Sequence, residues 1–202
     1  PYWVLNEMTN ESGKDKFMGS ALVRYNVNEH LKIQVTGGAD INFMNFQEYA
    51  APTSAGFEQG QLQISDFRNR MYNVEALAIY NNSYKKFDYG VTIGGNLYKV
   101  DNKTQIVTAK EMVMRDVIAL QSFTSKEITE GTYRKQINSL YGSINLAYGN
   151  FVYLDATLRG DHSSTLPSGN NTYLYPSVSG SFLFSEFFKI NPTLLPYGTV
   201  RV

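Results

Sequence analysis

The chain has 202 residues, with 18 basic and 18 acidic side chains, two histidines and no cysteine. Zero formal net charge argues against a nucleic-acid binder, which carries a clear basic excess. The lack of cysteine removes any disulfide framework, Cys-based zinc site or catalytic thiol.

Fifteen Tyr, 12 Phe and 16 Gly, against 18% charged residues, favour strands and turns over helices. No run approaches the ~20 apolar residues of a transmembrane helix. No basic segment followed by an apolar stretch opens the chain, so no signal peptide is expected within it.

Period-two alternation dominates the chain. It is weak over Gly19–Val27 and clean over Leu31–Phe43. There Leu31, Ile33, Val35, Gly37, Ala39, Ile41 and Phe43 oppose Lys32, Gln34, Thr36, Gly38, Asp40 and Asn42. A weaker run covers Tyr72–Tyr80. Phe87, Tyr89, Val91, Ile93, Gly95 and Leu97 then oppose Asp88, Gly90, Thr92, Gly94, Asn96 and Tyr98. Ala109–Leu120 has some helical character and suggests a short loop helix. Leu140–Tyr148 sets Leu140, Gly142, Ile144 and Leu146 against Tyr141, Ser143, Asn145 and Ala147. Next, Val152, Leu154, Ala156 and Leu158 oppose Tyr153, Asp155, Thr157, Arg159 and Asp161. Weak runs at Leu174–Phe184 and Leu195–Val202 complete eight candidate strands.

Short connections are expected at Asn28–His30, Asn81–Lys86 and Gly149–Asn150, with a modest one at Ser185–Thr193. Long ones are expected at about 44–71, 99–135 and 162–173. Alternating short and long connections are the layout of a transmembrane β-barrel with tight periplasmic turns and long external loops. Tyr25, Tyr80, Phe87, Tyr148 and Phe151 flank the short turns, where an aromatic girdle would meet the membrane interface. Soluble antiparallel sandwiches also alternate, but with shorter strands and more even turn spacing. The expected fold class is all-β, antiparallel strands of a transmembrane barrel, residues 1–202 forming one partial barrel.

Three stretches carry a family resemblance. Asn138-Ser139-Leu140-Tyr141-Gly142 with Ile144-Asn145-Leu146-Ala147-Tyr148 is one. Leu154-Asp155-Ala156-Thr157-Leu158-Arg159-Gly160-Asp161-His162-Ser163-Ser164 is the second, and Tyr175-Pro176-Ser177-Val178-Ser179-Gly180-Ser181 the third. With the opening Pro1-Tyr2-Trp3, they resemble the SusC/RagA group of TonB-dependent outer-membrane transporters. Phe182 stands where a Trp is common in that group, and Gly160 where a polar residue is common. The resemblance implies about eight strands of a barrel of about 22, with the plug domain of such transporters absent from this stretch. It also implies import of oligosaccharides or peptides across the outer membrane of a Gram-negative bacterium. The implied partners are TonB-ExbB-ExbD, acting through the plug, a SusD-like surface lipoprotein, outer-membrane lipid and the glycan or peptide solute.

No zinc-protease, nucleophile-elbow, P-loop or dinucleotide pattern is present, and no residue is expected to be catalytic. His30 and His162 read as solvated surface. Asp40 with Asn42, or Asp101 with Asn102, falls short of a calcium site, so neither metal nor cofactor is expected. In a barrel, polar side chains are confined to the interior. The lumen-facing candidates for plug or solute contact are Asp40, Asn42, Asp88, Thr92, Asn96, Asn145, Asp155, Thr157, Arg159 and Asp161. Arg159 with Asp155 or Asp161 reads as a structural network, since unpaired inward charges are costly. Tyr49 and Phe57 in the first long loop, and Phe123 and Tyr133 in the second, offer aromatic faces for solute or for packing on each other. Two other readings remain open at this point. One is a complete small eight-stranded barrel with a structural or adhesive role. The other is a soluble carbohydrate-binding sandwich, in which the Leu31–Phe43 face would pack on a second sheet.

Overall fold

The computed structural model describes residues 2–115, 117–191, 193, 195 and 197–202. Pro1 of the opening motif, Asp116 of the helical stretch, Pro192 of the modest connection, and Leu194 and Pro196 near the last candidate strand lie outside them. Among the described residues, eight strands form one antiparallel sheet in chain order. They are β1 (Met8–Asn26), β2 (Leu31–Ala50), β3 (Gln61–Tyr84), β4 (Phe87–Met112), β5 (Phe123–Tyr148), β6 (Val152–Ser163), β7 (Thr172–Phe182) and β8 (Val200–Arg201). Short helices at Tyr2–Glu7 (α1) and Phe184–Phe187 (α2), and a 3-10 turn at Leu120–Ser122, complete the chain.

The strands run further than alternation suggests. The connections expected at 44–71, 99–135 and 162–173 shrink to 51–60, 113–122 and 164–171. The expected loop helix is replaced by the end of β4, which carries Ala109–Met112, and by the 3-10 turn. Both β4 and β5 reach 26 residues, far beyond the ~9–11 that cross a bilayer.

The short turns have local causes. The Asn28 side-chain oxygen accepts from the backbone N–H of His30 at 2.9 Å and of Leu31 at 2.8 Å, closing the β1–β2 turn. Gly149 and Asn150 take consecutive positive φ values of 59° and 62°, the pair that a two-residue hairpin turn of matching twist needs.

Packing divides the chain into two units: Pro1–Gly19, Ala39–Met71 and Val100–Arg134, and Ser20–Gly38, Tyr72–Lys99 and Lys135–Val202. The first unit holds the one buried apolar cluster among the described residues. It comprises Tyr49, Ala51, Leu62, Ala109 and Phe123, with Ile64, Met112 and Leu120 against it. In the second unit apolar side chains of one parity stand in the open: Ile33, Val35, Ile93, Leu97, Leu140, Leu158, Leu174 and Val178 are all exposed. A water-facing sheet would not carry such a surface, whereas a lipid-facing one does. No second sheet covers the Leu31–Phe43 face among the described residues, so the sandwich expectation fails. Beside the short turns of this unit, Phe87, Tyr148, Phe151, Phe182 and Phe187 form a continuous run of ring contacts, with centroids 4.7 to 6.5 Å apart.

Candidate functional site on the polar face

In the second unit, the register pairs Tyr141 with Arg159, Ser143 with Thr157 and Asn145 with Asp155 across β5 and β6. It then pairs Thr157 with Ser177 and Asp155 with Ser179 across β6 and β7. Period two therefore collects these side chains on the face opposite the exposed leucines. Asn145 donates to the Asp155 carboxylate at 2.5 Å, and Asn96 donates to Asn73 at 2.8 Å. Arg159 donates through Nε to Asp161 at 2.8 Å and through a terminal nitrogen to the Ser139 hydroxyl at 3.0 Å. Its guanidinium also lies 5.4 Å from the Tyr141 ring centre, within cation–π range. Of the two acids named for Arg159 from sequence, the structure places Asp161 against it and gives Asp155 to Asn145.

Sequence reasoning missed the centre of this network. The Tyr141 hydroxyl donates to the Glu75 carboxylate. Its ring covers Gly94, where a Cβ would lie 2.7 Å from Tyr141 and 2.5 Å from Leu77. A glycine pair inside a strand, facing an aromatic at the same parity on a neighbouring strand, is the signal that could have found it. Asp88 is exposed at the rim of a depression of about 540 Å³, whose walls include His30, Asn81, Tyr153 and Asp155. Thr92 presents its carbonyl oxygen towards Gly142, and no side-chain hydrogen bond of Thr157 is seen among the described residues.

In the first unit, Asp40 is paired with Lys16 at 3.1 Å. The Asn42 side-chain oxygen is buried without a hydrogen-bond partner. The four aromatics expected on loops fare differently. Tyr49 is the last residue but one of β2 and Phe123 begins β5, and both are buried in the apolar cluster, Phe123 to 2% exposure. The Tyr49 hydroxyl meets Met112 Sδ at 3.5 Å. Burial raises the Tyr49 pKa, Glu7 adds to the rise and Arg115 opposes it. Their faces are thus spent on packing. Phe57 stays half-buried in the 51–60 connection, and Tyr133 is exposed within β5 rather than on a loop. Beside Phe57, Trp3 donates its indole N–H to Ser54 at 2.9 Å and ties α1 to that connection. Among the described residues no group of three or more acidic or histidine side chains could hold a metal.

A single antiparallel sheet of long strands, apolar on one face and hydrogen-bonded polar on the other, defines a segment of a β-barrel. No protein-family profile matches the chain. In sequence it is 22% identical over 188 residues to the TonB-dependent receptor P26 of Formosa agariphila, covering 88% of this chain and 19% of that protein. In structure it matches the RagAB peptide transporter with a TM-score of 0.86 at 17% identity, over 93% of this chain and 22% of that one. The RagAB peptide importer in its "open-open" state gives 0.83 at 18% identity, and in its "closed-closed" state 0.82 at 17%. The chain spans about a fifth of the length of these proteins. These likenesses show the fold, a segment of a β-barrel, and the similar proteins bear the names of a TonB-dependent receptor and a peptide transporter.

Proposed function

We propose that the chain forms part of the barrel wall of a TonB-dependent transporter that imports oligosaccharides or peptides across the outer membrane of a Gram-negative bacterium. What supports the reading most is the fit of nearly the whole sheet to a stretch of the RagAB peptide transporter. Wall strands catalyse nothing; they enclose a path. Asp88, Asn145, Asp155 and the Glu75–Tyr141–Arg159 group form its polar lining and meet the plug, with Thr92, Asn96 and Thr157 beside them. In the first unit Asp40 and Asn42 are its lumen-facing candidates, and Phe57 and Tyr133 are the aromatics left for solute. A SusD-like lipoprotein covers the mouth, and TonB with ExbB and ExbD supplies the energy through the plug. Because an inward charge is costly unless paired, the hydrogen-bonded members of the lining hold the wall and the exposed Asp88 is the one available to a moving or docking partner.

The test is uptake of fluorescent oligosaccharides and fluorescent peptides by cells carrying the intact gene, a deletion, or the intact gene with TonB removed. Accumulation of one class, lost equally in both deletions, is the expected result. Uptake of both classes unaffected by the gene deletion would refute the reading.

A further inference from the structure

The apolar face of β4–β7 in the second unit is not flat. A groove of about 560 Å³ crosses it, within the ~300–1,000 Å³ of ordinary ligand sites. Gly142, Ala156 and Gly160 are small residues on its floor, and Ile93, Leu140, Leu158, Leu174 and Val178 stand around them. Register sets Gly142 opposite Leu158, Ala156 opposite Val178 and Gly160 opposite Leu174, so with Ile93 on β4 one cleft spans four strands. Leu140, Leu174 and Val178 are 69%, 68% and 72% exposed, among the barest apolar side chains of the chain. A Cβ at Gly142 would meet nothing nearer than the Thr92 carbonyl oxygen at 3.5 Å. A larger side chain there has room to rise into the groove.

Towards the long connections, the same parity turns polar. Asn138 pairs with His162, and His162 with Thr172. The His162 ring nitrogen lies 3.1 Å from the Thr172 hydroxyl. On β4, Gly95 lies beside the Ser139 carbonyl. Two and four residues further on, Leu97 and Lys99 keep the outward parity, which brings Lys99 alongside this polar row. Lys99 is exposed and takes part in no ion pair among the described residues. An apolar cleft thus ends at an exposed cation flanked by hydrogen-bonding side chains.

We propose that the groove holds an acyl chain of a phosphate-bearing lipid of the outer leaflet, with the phosphate at Lys99 and His162. The inference rests on the transmembrane reading, with the short turns on the periplasmic side. Lipid tails are as apolar as leucine, so bulk lipid has no hydrophobic reason to prefer one stretch of barrel. Retention of one lipid requires shape and headgroup charge together. The cleft supplies the first and Lys99 the second.

The experiment uses the full-length polypeptide purified from outer membranes, delipidated, and titrated in native mass spectrometry. The probes are phosphatidylglycerol and a neutral galactosyl diacylglycerol of the same acyl chains. The variants are Gly142→Leu, which fills the groove, Lys99→Gln, which removes the charge, and Ala21→Leu, which adds the same bulk to the apolar parity of β1. Folding of each is checked by heat-modifiable migration, with Ala156→Leu replacing Gly142→Leu should that variant misfold. The protein should retain phosphatidylglycerol over the neutral lipid. Gly142→Leu should lower retention about tenfold or more, Lys99→Gln should abolish the preference, and Ala21→Leu should behave as the parent. Equal retention by Gly142→Leu and the parent would overturn the proposal, as would a dimer of the parent that Gly142→Leu dissolves. A polypeptide absent from the outer membrane would overturn the transmembrane reading itself, a result distinct from either.

Discussion

Arginine at Val178 should destabilise the protein by about 2–4 kcal/mol, the range for a cation on the lipid face of a barrel near the bilayer midplane. Arginine at the adjacent Ser177 should cost much less. Val178 projects from the apolar face opposite Ala156, and Ser177 from the polar face opposite Thr157. One residue of offset therefore exchanges lipid for hydrated polar neighbours. Urea titration of the full-length protein in lipid vesicles reads both variants. Equal losses for the two would mean that the sheet does not separate two solvents.

Replacing Gly94 by leucine should be at least as costly. A Cβ there falls 2.5 Å from a Leu77 methyl and 2.7 Å from the Tyr141 ring, closer than packed atoms approach. Overpacking of this kind costs ~1–3 kcal/mol. Displacing the ring also breaks the hydroxyl's bond to the Glu75 carboxylate, which adds ~1.5–3 kcal/mol for a bond to a charged group. Gly95→Ala is the matched control, since its Cβ would sit 3.6 Å from the Ser139 carbonyl in ordinary contact. The same titration should show a large loss for Gly94→Leu and a small one for Gly95→Ala. A tolerated Gly94→Leu would mean that Tyr141 does not lie over this position.

The membrane-spanning alternation was legible because lipid imposes it. Ile93 and Leu97 must be apolar, so period two stands out over Phe87–Tyr98, and likewise over Leu31–Phe43 and Val152–Asp161. Beyond Leu97 the same parity reads Lys99, Asp101, Lys103 and Gln105, while the opposite one mixes Val100 and Ile106 with Asn102 and Thr104. Backbone pairing does not need apolar side chains, so β4 continues to Met112 where the pattern has vanished. The ion pair of Asp101 with Arg134 at 3.7 Å and the bond of Gln105 to Glu130 at 3.0 Å hold such polar strands together without leaving an alternation. Those segments therefore read as loops. The buried cluster was hidden for another reason. Tyr49, Leu62, Ala109 and Phe123 come from four separate strands, and no local period announces that they meet.

The lining shows the same division. Parity alone puts Asp155, Thr157, Arg159 and Asp161 on one face, because alternate residues of a single strand point the same way. Partner choice was not legible. Arg159 could face Asp155 or Asp161, both at its own parity on β6, and the register decides it by setting Asn145 against Asp155. The part played by Glu75 and Tyr141 depends on β3 and β5 being brought together across β4, which only the sheet order supplies.

The separation of lipid from water across β6 is the claim on which the rest depends. These 202 residues hold no cysteine, so single spin labels can be placed at each position from Leu154 to Arg159 in the full-length protein, in outer-membrane vesicles, with any cysteine elsewhere in it replaced by serine. Collisions with dissolved oxygen, which concentrates in lipid, should peak at Leu154, Ala156 and Leu158 and fall at Asp155, Thr157 and Arg159. A flat profile, or one in which a water-soluble nickel chelate reaches Leu158 as readily as Thr157, would contradict the barrel account.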